Sequence, residues 1–112
     1  MLATLTALAE PNRLRIVEEL RTRERSVNEL CEQLSLSQPL VSKHLRVLRE
    51  AGLVEVDARA QQRFYGLRAK PLAEMHDWLT RYRRIWDARF QALDAVLERM
   101  EKEPRNGKKR RR

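Results

Sequence analysis

Sulfur, aromatic side chains and long apolar runs are all scarce in this 112-residue chain. One cysteine, Cys31, rules out an internal disulfide and fits a reducing compartment. No apolar run reaches the roughly 20 residues of a membrane span, and the first residues lack the charged-then-apolar pattern of a secretory leader. A cytoplasmic protein is therefore expected, with no membrane partner. Two histidines and one cysteine fall on three separate predicted helices. No nucleophile–base pair, glycine-rich phosphate loop or carboxylate cluster accompanies them, so an enzyme is not expected. No internal repeat is present. Aromatic residues make up only 5% of the chain. A chain this short buries a modest fraction of its surface, so help from a second chain is expected.

Charge is what the sequence has in surplus. The formal net charge is +8, and residues 105–112 (RNGKKRRR) carry six of the 24 basic residues and no acidic one. Residues 1–104 are left with 18 basic against 16 acidic groups. The body is near balance and the end is a basic tail, read as disordered from residue 104 onward. Such tails favour polyanions.

Periodicity and punctuation divide the rest. Leu2, Leu5 and Leu8 form one apolar edge of a short helix. Pro11 opens a second helix, running to about Arg21, with Leu14, Ile16, Val17 and Leu20 inward. Ser26 and Glu29 have capping-box spacing, and Val27, Leu30, Cys31 and Leu34 then follow the i, i+3, i+4, i+7 pattern. After Ser35-Leu36-Ser37, Ser37 is suited to cap a fourth helix with Pro39 in its first turn; Gly52 stops it. Leu53–Arg59 and Arg63–Leu67 read as a hairpin around Ala60-Gln61-Gln62. From Pro71 to about Glu103, an apolar residue recurs every three or four positions, which predicts one long helix. At 1.5 Å per residue that helix is on the order of 50 Å long, too long for one small domain to cover. A second copy is the simplest cover. Leu2, Leu5, Leu79, Tyr82, Trp86, Phe90, Leu93 and Leu97 are the expected dimer contacts. Trp78, Tyr82 and Trp86 can also be read as lining for a small-molecule effector, but interface core is the preferred reading. No effector is identified.

The predicted fold is mainly α with a small β-hairpin: a winged helix-turn-helix of about five helices with a two-stranded wing and a long C-terminal dimerisation helix. It spans residues 1–103, with the tail at 104–112. The third and fourth helices form the helix-turn-helix. At 100° per residue, Val41, Leu45 and Leu48 share the inner face of the fourth helix. Gln38, Pro39, Ser42, Lys43, Arg46 and Arg49 lie on the outer side, and His44 sits between the two. Amides and cations of this kind read base edges in a major groove, while hydroxyls and further cations hold phosphates. Arg59 and Arg63 flank Gln61 and Gln62 at the wing tip, where they would reach phosphate or a minor groove. The expected partner is double-stranded DNA. The rival reading is a winged-helix protein-interaction module, which the balanced charge of residues 1–104 keeps open.

The tracts ALAEPNRLRIVEEL (7–20) and VNELCEQLSLSQPLVSKHLRVLREAGLVEV (27–56) resemble the ArsR family of winged helix-turn-helix regulators. The resemblance implies a cytoplasmic homodimer on an inverted-repeat operator, acting as a repressor, with first and last helices at the interface. It also implies that Ser37, Gln38, Ser42, Lys43 and His44 belong to the DNA-reading stretch. Many members sense metal, but one family site needs a CxC pair, and here Gln33 follows Cys31 where the second thiol would stand. A second family site uses Asp and His on the last helix. Glu74-x-His76 matches its first half, but Asp87 is followed by Phe90, which cannot bind metal. No metal or cofactor is expected.

Overall fold

The computed structural model describes the backbone of residues 1–111 and the side chains of residues 1–102. The chain divides into two compact units, Met1–His76 and Asp77–Arg112.

The first unit begins with α1 (Leu2–Leu8) and α2 (Pro11–Glu19). Glu10 caps α2: its carboxylate accepts hydrogen bonds from the Asn12 and Arg13 N–H groups at 3.1 and 3.0 Å. Ile16, Val17 and Leu20 turn inward as expected, but Leu14 is exposed. On α1 the buried residues are Thr4 and Ala7, so Leu2 and Leu5 stay open to solvent.

A short strand, β1 (Arg25–Ser26), leads into α3 (Val27–Leu34). The capping box forms as predicted. Ser26 Oγ accepts from Glu29 N–H at 3.2 Å, and Ser26 N–H donates to Glu29 Oε1 at 2.9 Å. Arg23 donates to the other Glu29 oxygen at 2.7 Å. The hydrogen bond from Arg23, followed by that from Ser26 N–H, holds the Glu29 carboxyl down at about 2, against the smaller opposing effect of burial. A depressed folded-state pKa adds stability above the ordinary carboxylate range and loses it as pH falls toward 2. Glu29→Gln is therefore expected to flatten the stability-versus-pH curve between about pH 4.5 and pH 2. Urea melts across that window check this; an unaltered acid slope contradicts it.

The α3 helix ends at Ser35, whose φ of 56° is left-handed. Next comes α4 (Gln38–Glu50), with Ser37 Oγ accepting from Leu40 N–H at 3.4 Å. At the other end Gly52, with φ 79°, donates to the Arg49 carbonyl, and Leu53 donates to that of Leu48. This is a Schellman stop, and the positive φ is why glycine stands there. Leu30, Val41, Leu45, Leu48 and Leu53 are fully buried and make the centre of the core.

Strands β2 (Val54–Arg59) and β3 (Gln62–Leu67) form the wing, in register from Val54 opposite Leu67 to Arg59 opposite Gln62. Ala60 and Gln61 make a two-residue turn. Only Ala60 of the two has a positive φ, 54°, the pattern of a type II′ hairpin turn. The sheet has three strands rather than the two expected, in antiparallel order β1-β3-β2, with Arg25 opposite Tyr65 and Ser26 opposite Phe64. Two residues carry too little pattern to show as a strand in sequence. α5 (Ala69–Thr80) follows the sheet, and Leu72 packs on the core.

In the second unit the expected single helix is broken. α5 ends at Thr80, and α6 runs Arg83–Arg111. The Thr80 hydroxyl donates to the Asp77 carbonyl at 2.7 Å. Arg81 and Tyr82 N–H groups reach carbonyls three residues back, on Trp78 and Leu79. A side chain competing for helix carbonyls, next to a tightened turn, accounts for the interruption. α6 also continues past Pro104, where the sequence pattern sets its end; one proline removes a ladder bond without forbidding the turns beyond it. The side chains of the basic tail lie outside the described residues. Among the described residues no helix is long and apolar enough to cross a membrane.

Candidate nucleic-acid interface

Each surface of α4 follows from its caps. With Ser37 fixing the start and Gly52 the end, Val41, Leu45 and Leu48 are buried, and Gln38, Pro39, Ser42, Lys43, Arg46 and Arg49 are exposed. These six outer residues line a groove of about 840 Å³. Ser26, Val27 and Asn28 at the start of α3 close one side, and Gln61, Gln62, Arg63 and Tyr65 of the wing close the other. Nine of the twelve residues expected to touch DNA thus share one concavity. The groove holds Lys43, Arg46, Arg49 and Arg63 and no carboxylate. Among the described residues none of these four cations has an ion-pair or hydrogen-bond partner.

Other arginines are occupied by the fold. Arg13 donates to the carbonyls of Ala7 and Thr6 at the end of α1, at 2.7 and 3.4 Å. Arg15 donates to Leu34 at the end of α3 (3.0 Å), and Arg25 to Glu19 at the end of α2 (3.2 Å). Cations at helix C-termini satisfy orphan carbonyls and oppose the negative end of the dipole. These three arginines are thereby taken up by the fold, while Lys43, Arg46, Arg49 and Arg63 on the groove stay unpaired among the described residues.

Three expected contacts lie elsewhere. Ser37 is exposed, but its hydroxyl serves the helix cap. His44 is buried, 8% exposed, rather than at the border between faces. It lies three residues from Val41 and one from Leu45, so it joins their side of the helix. Its Nδ1 is 3.4 Å from Glu10 Oε2. Burial raises the Glu10 carboxyl, but the Asn12 and Arg13 N–H donors and the nearby His44 and Arg13 outweigh it and hold the group below its ordinary range. His44 is thus removed from the set of base readers. Arg59 is also corrected. It pairs with Glu24 and with Asp57 (3.0 Å) and lies 4.5 Å over the Phe64 ring. The hydrogen bond it donates to Glu24 leads the effects that strengthen its hold on the proton, with Asp57 adding to them. Twice paired, it braces the wing.

The sequence reading missed Ser26, Val27, Asn28 and Tyr65 as groove residues. Asn28 is the accessible polar one, in the first turn of α3. Its place two residues after the capping Ser26 was a usable signal, because the first helix of a helix-turn-helix crosses the phosphate backbone.

A helix-turn-helix with a flanking β-wing and a cationic outer face defines the winged helix-turn-helix class of protein. The family model described as bacterial regulatory protein, arsR family, matches residues 10–56. The chain is 42% identical over 71 residues to the HTH-type transcriptional repressor SmtB of Mycobacterium tuberculosis, covering 63% of this chain and 53% of SmtB. It is 42% identical over 77 residues to the transcriptional activator HlyU of Vibrio cholerae, covering 69% of this chain and 71% of HlyU. The solved structure of HlyU from Vibrio cholerae N16961 superposes with a TM-score of 0.62 at 40% identity, over 71% of this chain and 87% of that one. The chain belongs to the ArsR family of bacterial regulatory proteins. It spans about half the length of SmtB.

Proposed function

We propose that this protein is a cytoplasmic transcription regulator that binds double-stranded DNA as a homodimer and has no catalytic step of its own. The observation that carries this reading is the groove: four unpartnered cations, four amides from Asn28, Gln38, Gln61 and Gln62, and no carboxylate between helix and wing. Lys43 and Arg46 are suited to guanine and Gln38 to adenine, with Ser42, Arg49 and Arg63 on phosphates. A two-fold pair of α4 helices would enter successive major grooves about 34 Å apart, which calls for an inverted-repeat operator. Of the two relatives described above, SmtB is named a repressor and HlyU an activator. We take repression, by occupying a promoter and excluding polymerase, as the mode for this chain.

Mobility shifts with genomic fragments, followed by the best fragment against scrambled duplex, test the reading. Lys43→Ala is expected to weaken binding to the preferred sequence by about 1–3 kcal/mol and to scrambled duplex much less. An equal loss on every sequence would place Lys43 on phosphate alone. No shift on any duplex would leave the winged-helix fold as a protein-interaction module.

A further inference from the structure

A chain of polar contacts outside the groove joins its two walls. Arg59 stands on β2 opposite Gln62 of β3. Its guanidinium lies 4.5 Å over the ring of Phe64 and donates to Glu24, the residue just before β1. One side chain thus starts on β2, crosses β3 and finishes beside β1. Glu24 is in turn tied down. Arg23 donates to its carbonyl oxygen at 2.9 Å and, through a separate nitrogen, to the Glu29 carboxylate at 2.7 Å. Glu29 closes the capping box with Ser26 at the start of α3.

Ser26, Val27 and Asn28 form one wall of the groove, and Gln61, Gln62, Arg63 and Tyr65 form the other. The contacts from Arg59 through Glu24 and Arg23 to Glu29 therefore run from wall to wall. β1 pairs with β3 only at Tyr65 and Phe64, so that ladder stops short of the wing tip. Beyond it Gln62 and Arg63 have only β2 beside them, and Arg59 is the side chain that leads the tip end of β2 back to the body. Arg59 and Glu24 are 48% and 49% exposed, and an ion pair so open to water adds little to folding stability. It can still fix a direction. Contacts to Glu24, Asp57 and Phe64 leave the Arg59 guanidinium one orientation.

We propose that Glu24 is a positioning residue for the DNA interface, holding Arg59 across the sheet so that the wing tip keeps its distance from α3 and α4. The inference rests on the DNA-binding reading above and adds to it a residue outside the groove. Glu24 itself touches no DNA. Charge alone gives the opposite result: an acid near a polyanion site repels, and its removal should tighten binding. The sign of the effect therefore separates the two.

The test compares Glu24→Gln with the parent chain on the preferred and the scrambled duplex at several salt concentrations. The dissociation constant for the preferred sequence is expected to rise by about threefold to fivefold, with a much smaller change on scrambled duplex. The slope of log affinity against log salt is expected to become shallower by up to about 0.9, as Arg63 loses its phosphate. In an Arg59→Ala background the same substitution is expected to change nothing further, because Glu24 acts through Arg59. Tighter binding with a steeper slope would mean that Glu24 withholds Arg59 from phosphate, and overturns the proposal. Unchanged affinity overturns it too, as does an equal loss in the Arg59→Ala background. The urea midpoint is expected to stay close to that of the parent; a fallen midpoint with equal losses on both duplexes would reduce Glu24 to a stability role. A parent chain that binds no duplex removes the DNA reading itself and this inference with it.

Discussion

Alanine at Lys43, Arg46, Arg49 and Arg63 together is expected to abolish DNA binding at physiological salt while leaving the fold intact. All four side chains are exposed and unpartnered, so nothing inside the protein depends on them. Each phosphate neutralised on duplex DNA contributes about −0.9 to the slope of log affinity against log salt. If the four all sit on or next to the backbone, the slope should become shallower by up to roughly 3–4 units. Titrations at several salt concentrations measure this directly. A variant that binds with an unchanged slope would move the DNA face away from the groove. Cation count alone cannot mimic the result: the same number of alanines at Arg13, Arg15, Arg25 and Arg59 would strip helix caps and wing braces and show up in stability instead.

Leu45→Ala is expected to cost about 2–5 kcal/mol of folding stability. Leu45 has no solvent exposure and sits between Val41 and Leu48 on the inner side of α4. Small domains hold only about 5–15 kcal/mol in total, so the variant should be partly unfolded near body temperature. Leu14→Ala is the matched control. Leu14 is 44% exposed, and the same truncation there should shift a urea midpoint little in the monomer. A loss under about 1 kcal/mol for Leu45→Ala would contradict the packing of α4 against the core.

Local signals and long-range ones divided what was legible. The ends of α3 and α4 could be read from Ser26, Glu29, Ser37, Pro39 and Gly52, because each acts within a few residues of itself. The inner faces of both helices followed from periodicity. What stayed hidden depends on partners far along the chain. His44 is drawn inward beside Glu10, 34 positions away, and Arg59 is held by Glu24, 35 positions away. No pattern around His44 or Arg59 announces those partners, so the family resemblance placed His44, and a cation beside the wing tip placed Arg59, in the DNA-reading set. Leu14 has the spacing of a core residue and faces solvent. The break after Thr80 lies in a run with no glycine or proline, where the Thr80 hydroxyl bonds the Asp77 carbonyl and the next two N–H groups reach back three residues. β1 exists because Tyr65 and Phe64 are opposite it, not because Arg25-Ser26 favours a strand. Within the groove the outer side of α4 was foreseen almost entire, whereas Asn28 joins it only through the angle at which α3 meets α4.

The guanidinium of Arg15 reaches two acceptors on separate nitrogens, Asn12 Oδ1 at 3.3 Å and the Leu34 carbonyl at 3.0 Å. A planar fork serves both at once; a single ammonium at the end of a lysine cannot present the same two directions. Arginine-to-lysine drift, harmless over most of a basic surface, is therefore not silent at this position. The amount of positive charge in such a chain is a poor guide to the field a polyanion meets, since some of it is mortar.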